Sequence, residues 1–431
     1  MDLVLRGGRV LGAGADGSGA WRDESADVRI RDGRIVEIGP GLRGGRELDV
    51  RDLWVTPGLV DLRAHLREPG AEHKEDLTSG ARAAAYGGYT TVCALPDTSP
   101  VNDQRTVTEL LVRRAAEVGL IHLRPIGAVT RGLGGERLAD VADMKDGGIV
   151  AVSDGDRAVA DAAVLRRALE YARTFGLPLV QHAEDASLAE GGVMHEGPLS
   201  TRIGLRAHPA CAEASVVARD LEIVAATGGR YHVAHVSSAR TVALVREGKR
   251  RGLPITAEVS PLHLLLTEDA CADYDPHARL SAPLRHEDDR QALLAGVADG
   301  TIDAIASDHA PSALTEKEGL FEEAAPGAVG LETAAAIVLG LVASGALPLG
   351  RALAALTADP ARCFGLDAGR LVVGGRADVA VLDPARAWTV GADELVGKSR
   401  NTPLLGRTLV GRAVLTLFGG APTCDRDRRF A

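Results

Sequence analysis

Between residues 58 and 307 short apolar runs alternate with longer stretches of helical periodicity. The runs are GLVDL (58–62), YTTVCAL (89–95), IHLRPIGAV (121–129), GIVAVS (148–153), LPLVQH (177–182), YHVAHV (231–236), LPITAEV (253–259) and IDAIAS (302–307). Apolar runs of this length read as strands. DAAVLRRALEYARTFG (161–176) and EASVVARDLEIVAATGG (213–229) place their apolar residues on one helical face. Strands alternating with helices specify a parallel sheet, and eight of them over this length predict a (β/α)8 barrel.

The two ends of the chain follow a different rule. LVLRGGRVL, ADVRIRDGRIVEIG and WVTPG alternate apolar and polar residues between Gly and Asp turns. That period of two predicts antiparallel strands. GRLVVGGRADVAVLD and LLGRTLVGRAVLTLFGG repeat the style near the C-terminus. The two ends could pair into one small β-domain that neither completes alone. The Gly-rich piece at 12–19 reads as a loop.

Composition narrows the function classes. The 431 residues suit a large barrel with an accessory domain. The net charge of −10 disfavours nucleic acid and anionic membranes as partners. No apolar window is long enough for a membrane span, and MDLVLRGGRV lacks a basic-then-apolar leader pattern, so a cytoplasmic location is expected. Cys93, Cys211, Cys271, Cys363 and Cys424 are scattered, with no C-x-x-C pair. Neither a disulfide framework nor a thiolate zinc site is expected; most should be small buried apolar residues.

Sites on such barrels lie where the strands end. Those ends carry Asp61, Arg63, His65, Arg67 and Glu68; Asp154 and Asp156; His182, Glu184 and Asp185; His235; and Asp308 and His309. Three histidines and one aspartate at equivalent strand ends suggest a nitrogen/oxygen site for a divalent metal, zinc being the usual choice. Singly, each histidine also reads as structural, and Asp308 as the cap of the next turn. His232 has the opposite parity to His235 and is expected to face the helices. His73, His122, His195, His208, His277 and His286 read as ordinary surface or loop residues.

PGLVDLRAHLREPGAEHKEDLTSGARAAAYGGYTTVCALPDTSPVND resembles the first dihydroorotase signature. QHAEDASL, VAHVSSAR, ITAEVSPLHLLLTE, APLRHEDDRQALL, IDAIASDHAPSALTEKE and PGAVGLET resemble later blocks in that family's order. GRLVVGGRADVAVLDP and SRNTPLLGRTLVGR resemble its C-terminal β-domain. The resemblance spans nearly the whole chain. It implies a TIM-like barrel of the amidohydrolase superfamily over 57–365, with a small β-sandwich domain built from 1–56 and 366–431. It also implies a place in pyrimidine synthesis, hydrolysing or forming the cyclic amide of dihydroorotate at one or two zinc ions. Carried over by position, His65, His182, His235 and Asp308 would be metal ligands. Asp308 would also be the catalytic base, and Arg67 the clamp on the substrate carboxylate, a task suited to its planar fork.

The departures are specific. The first histidine of the family's His-x-His pair is Arg63 here, and a guanidinium has no lone pair for a metal. The family's bridging aspartate of strand four falls on Gly155, flanked by Asp154 and Asp156 as the alternatives if the loop shifts; Lys145 precedes the strand and is no carbamate bridge. Three substrate-binding positions also differ: Asp97 replaces an asparagine, Ser281 an asparagine and Ser312 a histidine. Leu262 replaces one histidine of a Pro-His-His block. Arg63 on its strand end is expected to pair with Asp308 in the space a metal would use. The favoured expectation is a catalytically impaired or inactive chain that supports aspartate carbamoyltransferase in a mixed oligomer. An active enzyme with one zinc, turning dihydroorotate into carbamoyl aspartate, is the alternative. A hydantoinase- or allantoinase-like hydrolase is the third. Homo-oligomerisation is the family habit.

Overall fold

The computed structural model describes residues 2–13 and 21–430. Five strands open the chain: β1 (Asp2–Ala13), β2 (Trp21–Arg31), β3 (Arg34–Gly39), β4 (Arg46–Asp49) and β5 (Trp54–Pro57). The barrel strands follow as β6 (Leu59–Ala64), β7 (Tyr89–Ala94), β8 (His122–Gly127), β9 (Ala151–Ser153) and β10 (Leu179–Gln181). A two-residue ladder, β11 (Met194–His195) with β12 (Ala207–His208), interrupts them. The barrel resumes with β13 (Tyr231–Val233), β14 (Ile255–Val259) and β15 (Ala304–Ile305). β16 (Val379–Thr389), β17 (Thr408–Phe418) and β18 (Ala421–Asp425) end the chain.

The eight strands β6–β10 and β13–β15 form one parallel sheet in chain order. Seven lie within the runs that their apolar pattern marked, and β6 continues two residues past its run, to Ala64. The helices Ala162–Thr174 and Cys211–Thr227 match the two amphipathic segments and bury their apolar faces in the barrel's outer layer. The barrel interior is filled by small and branched residues, among them Val60, Leu62, Cys93, Ile126, Val180 and Ala304.

A buried carboxylate helps close the seam between the first and last strands. Asp61 of β6 accepts the Ser307 backbone N–H at 2.7 Å and its hydroxyl at 2.6 Å. His65 N–H donates across the same seam to His309 O at 2.8 Å. The sequence places Asp61 among the mouth residues; its side chain instead stitches the wall. Burial pushes its pKa up to about 7, against the lowering effect of the Ser307 bonds.

His232 packs between β14 and the helix Ala358–Phe364. Its ring contacts Thr256 Oγ1 at 2.7 Å and Glu258 at 3.2 Å, and meets the edge of Phe364, a member of the interior cluster. His235 follows a break in the alternation: its φ is +30°, so parity counted along a regular strand fails there.

Both chain ends meet in a second eight-stranded sheet, ordered β18-β17-β16-β5-β1-β2-β3 with β4 on β1. β16 runs antiparallel to β5, pairing Val379 with Pro57 and Val381 with Val55. Leu3, Leu5, Val28, Val381 and Leu415 share the core of this sheet. The run from 369 becomes a strand only at Val379, because Gly374 turns with φ +87° and its N–H docks on Ile35 O at 2.7 Å. Gly12 and Ala13 of the expected Gly-rich loop close β1; its residues 14–19 lie outside the described residues. Cys93, Cys271, Cys363 and Cys424 are buried, whereas Cys211 is exposed at a helix start. No helix among the described residues is long and apolar enough to cross a membrane.

Asp61→Ala should leave the buried Ser307 N–H without an acceptor. A loss of about 1–3 kcal/mol is expected in urea unfolding at pH 6. An unchanged midpoint would show that the seam does not depend on this carboxylate.

Candidate functional site

Alternation along the first barrel strand and its extension sends Arg63, His65 and Arg67 the same way, into the mouth. Positive φ angles at Arg67 (+60°), His235 (+30°) and Asp308 (+50°) turn the chain where strands become loops. Non-glycine residues adopt this region at a cost, in turns and at functional sites.

Arg63 is the centre. Its side chain is 1% exposed. Nε donates to Asp308 Oδ1 at 2.9 Å, and Nη2 bonds Asp156. Nη1 is buried without a hydrogen-bond partner. Burial opposes the charge, but Asp156, Asp308 and Glu258 outweigh it and hold the guanidinium protonated. Burial likewise opposes the charge on Asp308, yet the adjoining Arg63 guanidinium keeps its pKa below the usual value. The Arg63–Asp308 pair expected from the sequence is thus present, with Asp156 as a second anion.

His65 sits beside this pair. Its Nδ1 lies 2.7 Å from Asp97 Oδ2, and its Nε2 lies 3.4 Å from Asp156 Oδ2. Burial alone would lower its pKa; Asp97 and Asp156 reverse this and raise it to about 9. Both ring nitrogens of His65 thus face carboxylates, which favour its protonated form. Asp97 also receives Arg67 Nη1 at 3.0 Å.

The strand-four residues divide their work. Asp154 accepts the backbone N–H groups of Val129 and Thr130, each at 2.9 Å, and so anchors the loop after β8. Asp156 reaches the mouth. Gly155 between them has φ +68°, and a Cβ there would lie 3.7 Å from that of Asp97. That direction points into the site.

On the far side, His182 Nδ1 and His235 Nε2 are 2.9 Å apart, so one donates to the other. Burial first, then Arg63, lowers His235 to about 3, leaving it neutral. Glu184 lies 3.6 Å from His182 and 2.8 Å from His208. His208, set aside by sequence as ordinary, is buried and belongs to this wall. His195 is also close, with Nδ1 3.3 Å from Arg285 Nη1. His122 on β8 contacts Asp378 at 3.2 Å, tying barrel to β-domain. Ser281 lines the cavity with His182, Glu184 and His208. Ser312 is buried, and its backbone N–H donates to Asn401 Oδ1 at 3.1 Å. Leu262 is buried in the core, and neighbouring His263 bonds Ala282 O at 3.0 Å.

The barrel, its split β-domain and this mouth define the amidohydrolase class. A family model described as dihydro-orotase-like matches residues 53–241. A dihydroorotase of Anaeromyxobacter dehalogenans (strain 2CP-C) is 52% identical, covering 97% of this chain and 96% of that protein. One from Syntrophotalea carbinolica is 46% identical over 98% of this chain and 99% of its own. Among solved structures, the L-hydantoinase (dihydropyrimidinase) from Arthrobacter aurescens superposes with a TM-score of 0.87 at 23% identity, covering 99% of this chain and 96% of that one. That likeness shows the fold. The chain belongs to the dihydroorotase family.

That family is metal-dependent, and the mouth does not assemble the ligand set its pattern implies. Asp308 is spent on Arg63, and His65 on two carboxylates. Only Asp156, His182 and His235 bring ligand atoms within 4.8 Å of one another among the described residues. Of these, Asp156 already pairs with Arg63. A dication there would face a fixed positive charge a few bonds away.

Arg63→Met keeps the length and removes the charge, leaving Asp308 and Asp156 uncompensated. With Asp156 partly open to solvent, a loss of about 2–4 kcal/mol is expected at pH 7 in urea unfolding. The loss should shrink on acidification, as those carboxylates protonate; a wild-type midpoint at pH 7 would contradict the pairing. His65 adds a second pH signature. Its folded pKa of about 9 lies above the ordinary imidazole value of about 6.5, so its stabilisation is complete below pH 6.5 and vanishes as pH rises through 9. The stability gap between wild type and His65→Gln should close over that window; a gap constant from pH 6 to 10 would contradict a charged His65.

Proposed function

We propose that this dihydroorotase-family chain serves de novo pyrimidine biosynthesis without turning over dihydroorotate at an ordinary rate, as a cytoplasmic protein that supports aspartate carbamoyltransferase in a complex. One observation carries the reading: the buried Arg63 guanidinium bonded to Asp308 and Asp156. In this reading the cation takes the place of the metal, and Asp308, held as an ion-paired acceptor, is not available to shuttle a proton. Loss of a single group that stabilises the reacting charge costs roughly 10²–10³ in rate. A kept barrel with a filled mouth leaves the surface for assembly as the retained asset. The working division is a barrel over 57–365 and a β-domain from 1–56 and 366–431.

A second reading is favoured by the convergence of Asp156, His182 and His235. It makes the protein an active dihydroorotase with one zinc on those residues, Asp156 standing in for His65 or Asp308. The hydantoinase likeness shows fold and gives no ground for a change of substrate.

The test is hydrolysis of dihydroorotate and cyclisation of carbamoyl aspartate by the purified full chain with added zinc. Both reactions are run with the chain alone and mixed with the aspartate carbamoyltransferase of the same source. Rates at least about 10³ below those of a metal-complete relative, with co-elution of the two proteins, are expected. Ordinary turnover by the chain alone would replace this account with the one-zinc reading.

A further inference from the structure

His182 Nδ1 and His235 Nε2 face each other at 2.9 Å, and two rings in that contact share one proton between these atoms. Which ring supplies it is decided behind His182. The Glu184 N–H donates to His182 O at 3.1 Å, a turn that brings the Glu184 side chain back to the His182 ring. Glu184 Oε2 lies 3.6 Å from His182 Nε2 and 2.8 Å from His208 Nε2. His208 is fixed on β12, where Arg285 Nη1 donates to its main-chain oxygen at 3.2 Å. Its Nδ1 is buried without a partner. A proton there would be an unmade donor, so His208 carries its proton on Nε2 and donates it to Glu184.

Glu184 is oriented by that bond, and a carboxylate only accepts. At 3.6 Å its oxygen is too far from His182 Nε2 for a full hydrogen bond and acts through its charge. A lone pair on Nε2 would meet that charge unfavourably, whereas an N–H meets it favourably. A second proton, on Nδ1, would make a buried imidazolium in need of its own anion. Asp156 and Asp308 are already bonded to Arg63, and Glu184 to His208.

We propose that Glu184 is a positioning residue that places the His182 proton on Nε2, so that His182 Nδ1 accepts from the His235 Nε2–H and one proton closes the pair. A chelated cation needs bare lone pairs on both rings at once, and a pair closed in this way does not offer them. The assignment deepens the non-hydrolytic reading and rests on it in taking the mouth to be free of metal.

The test is long-range proton–nitrogen NMR correlation on the full chain, isotope-labelled at histidine and stripped of metal with a chelator, at pH 7. It shows which nitrogen of each ring bears the proton. A residue needed only for packing would leave that pattern unchanged. His182→Gln and His235→Gln assign the two rings. In wild type both rings should carry the proton on Nε2, with a preference of about tenfold or more. Glu184→Gln presents an amide N–H to His182 while its carbonyl keeps His208, so the His182 proton should move to Nδ1. Glu184→Ala, which serves if that variant does not fold, should cut the Nε2 preference to less than about threefold. A His182 proton on Nδ1, or on both nitrogens, in wild type overturns the proposal. So does a wild-type pattern in a folded Glu184 variant. Zinc-dependent turnover judges the non-hydrolytic reading and these spectra judge the proton, so the two can fail separately.

Discussion

A guanidinium stays charged at any pH the fold tolerates, so burying one obliges the protein to bring anions to it. Arg63, 1% exposed, meets that demand with Asp308 and Asp156, and most features of the mouth follow. Asp308 is drawn onto Nε. Asp156 bonds Arg63 and lies beside His65. His65, between Asp156 and Asp97, becomes charged, while His235, facing Arg63, stays neutral. The result is a network of alternating charges in the space where this family's pattern would place a metal.

The fold makes such a network affordable. The barrel seam is closed by Asp61 and by the His65–His309 main-chain bond, so the first and last strands hold Arg63 and Asp308 at bonding distance. Asp154 fixes the loop after β8, which lets Gly155 turn with positive φ and carries Asp156 over the mouth. Glu184 and His208 form the opposite wall without touching Arg63's anions. The barrel supplies rigid positions; the side chains at a few strand ends decide what chemistry occupies them.

Much of this was legible in the residues. Eight apolar runs gave eight barrel strands, and the alternating ends gave one shared sheet, because periodicity reports which faces are buried. The Arg63–Asp308 pair followed from the family resemblance, which puts both residues at one metal site, together with charge and strand position. What parity could not give was side-chain direction where the backbone leaves strand geometry. The φ of +30° at His235 breaks regular strand alternation between it and His232. Asp61 went to the seam because Ser307 offers it two donors there. His208 looked ordinary because its partner Glu184 is distant in sequence and meets it only through the tertiary fold. The choice between Asp154 and Asp156 turned on the N–H groups of Val129 and Thr130, which claim the former.

The central claim is that an organic cation holds the place of the metal. A crystal structure of the full chain, grown and soaked with excess zinc at pH 7 and measured at the zinc absorption edge, tests it most directly. The account predicts Arg63 between Asp308 and Asp156, with no anomalous peak within bonding distance of His182, His235 or Asp308. A fully occupied zinc on His182, His235 and Asp308, with Arg63 displaced, would contradict it.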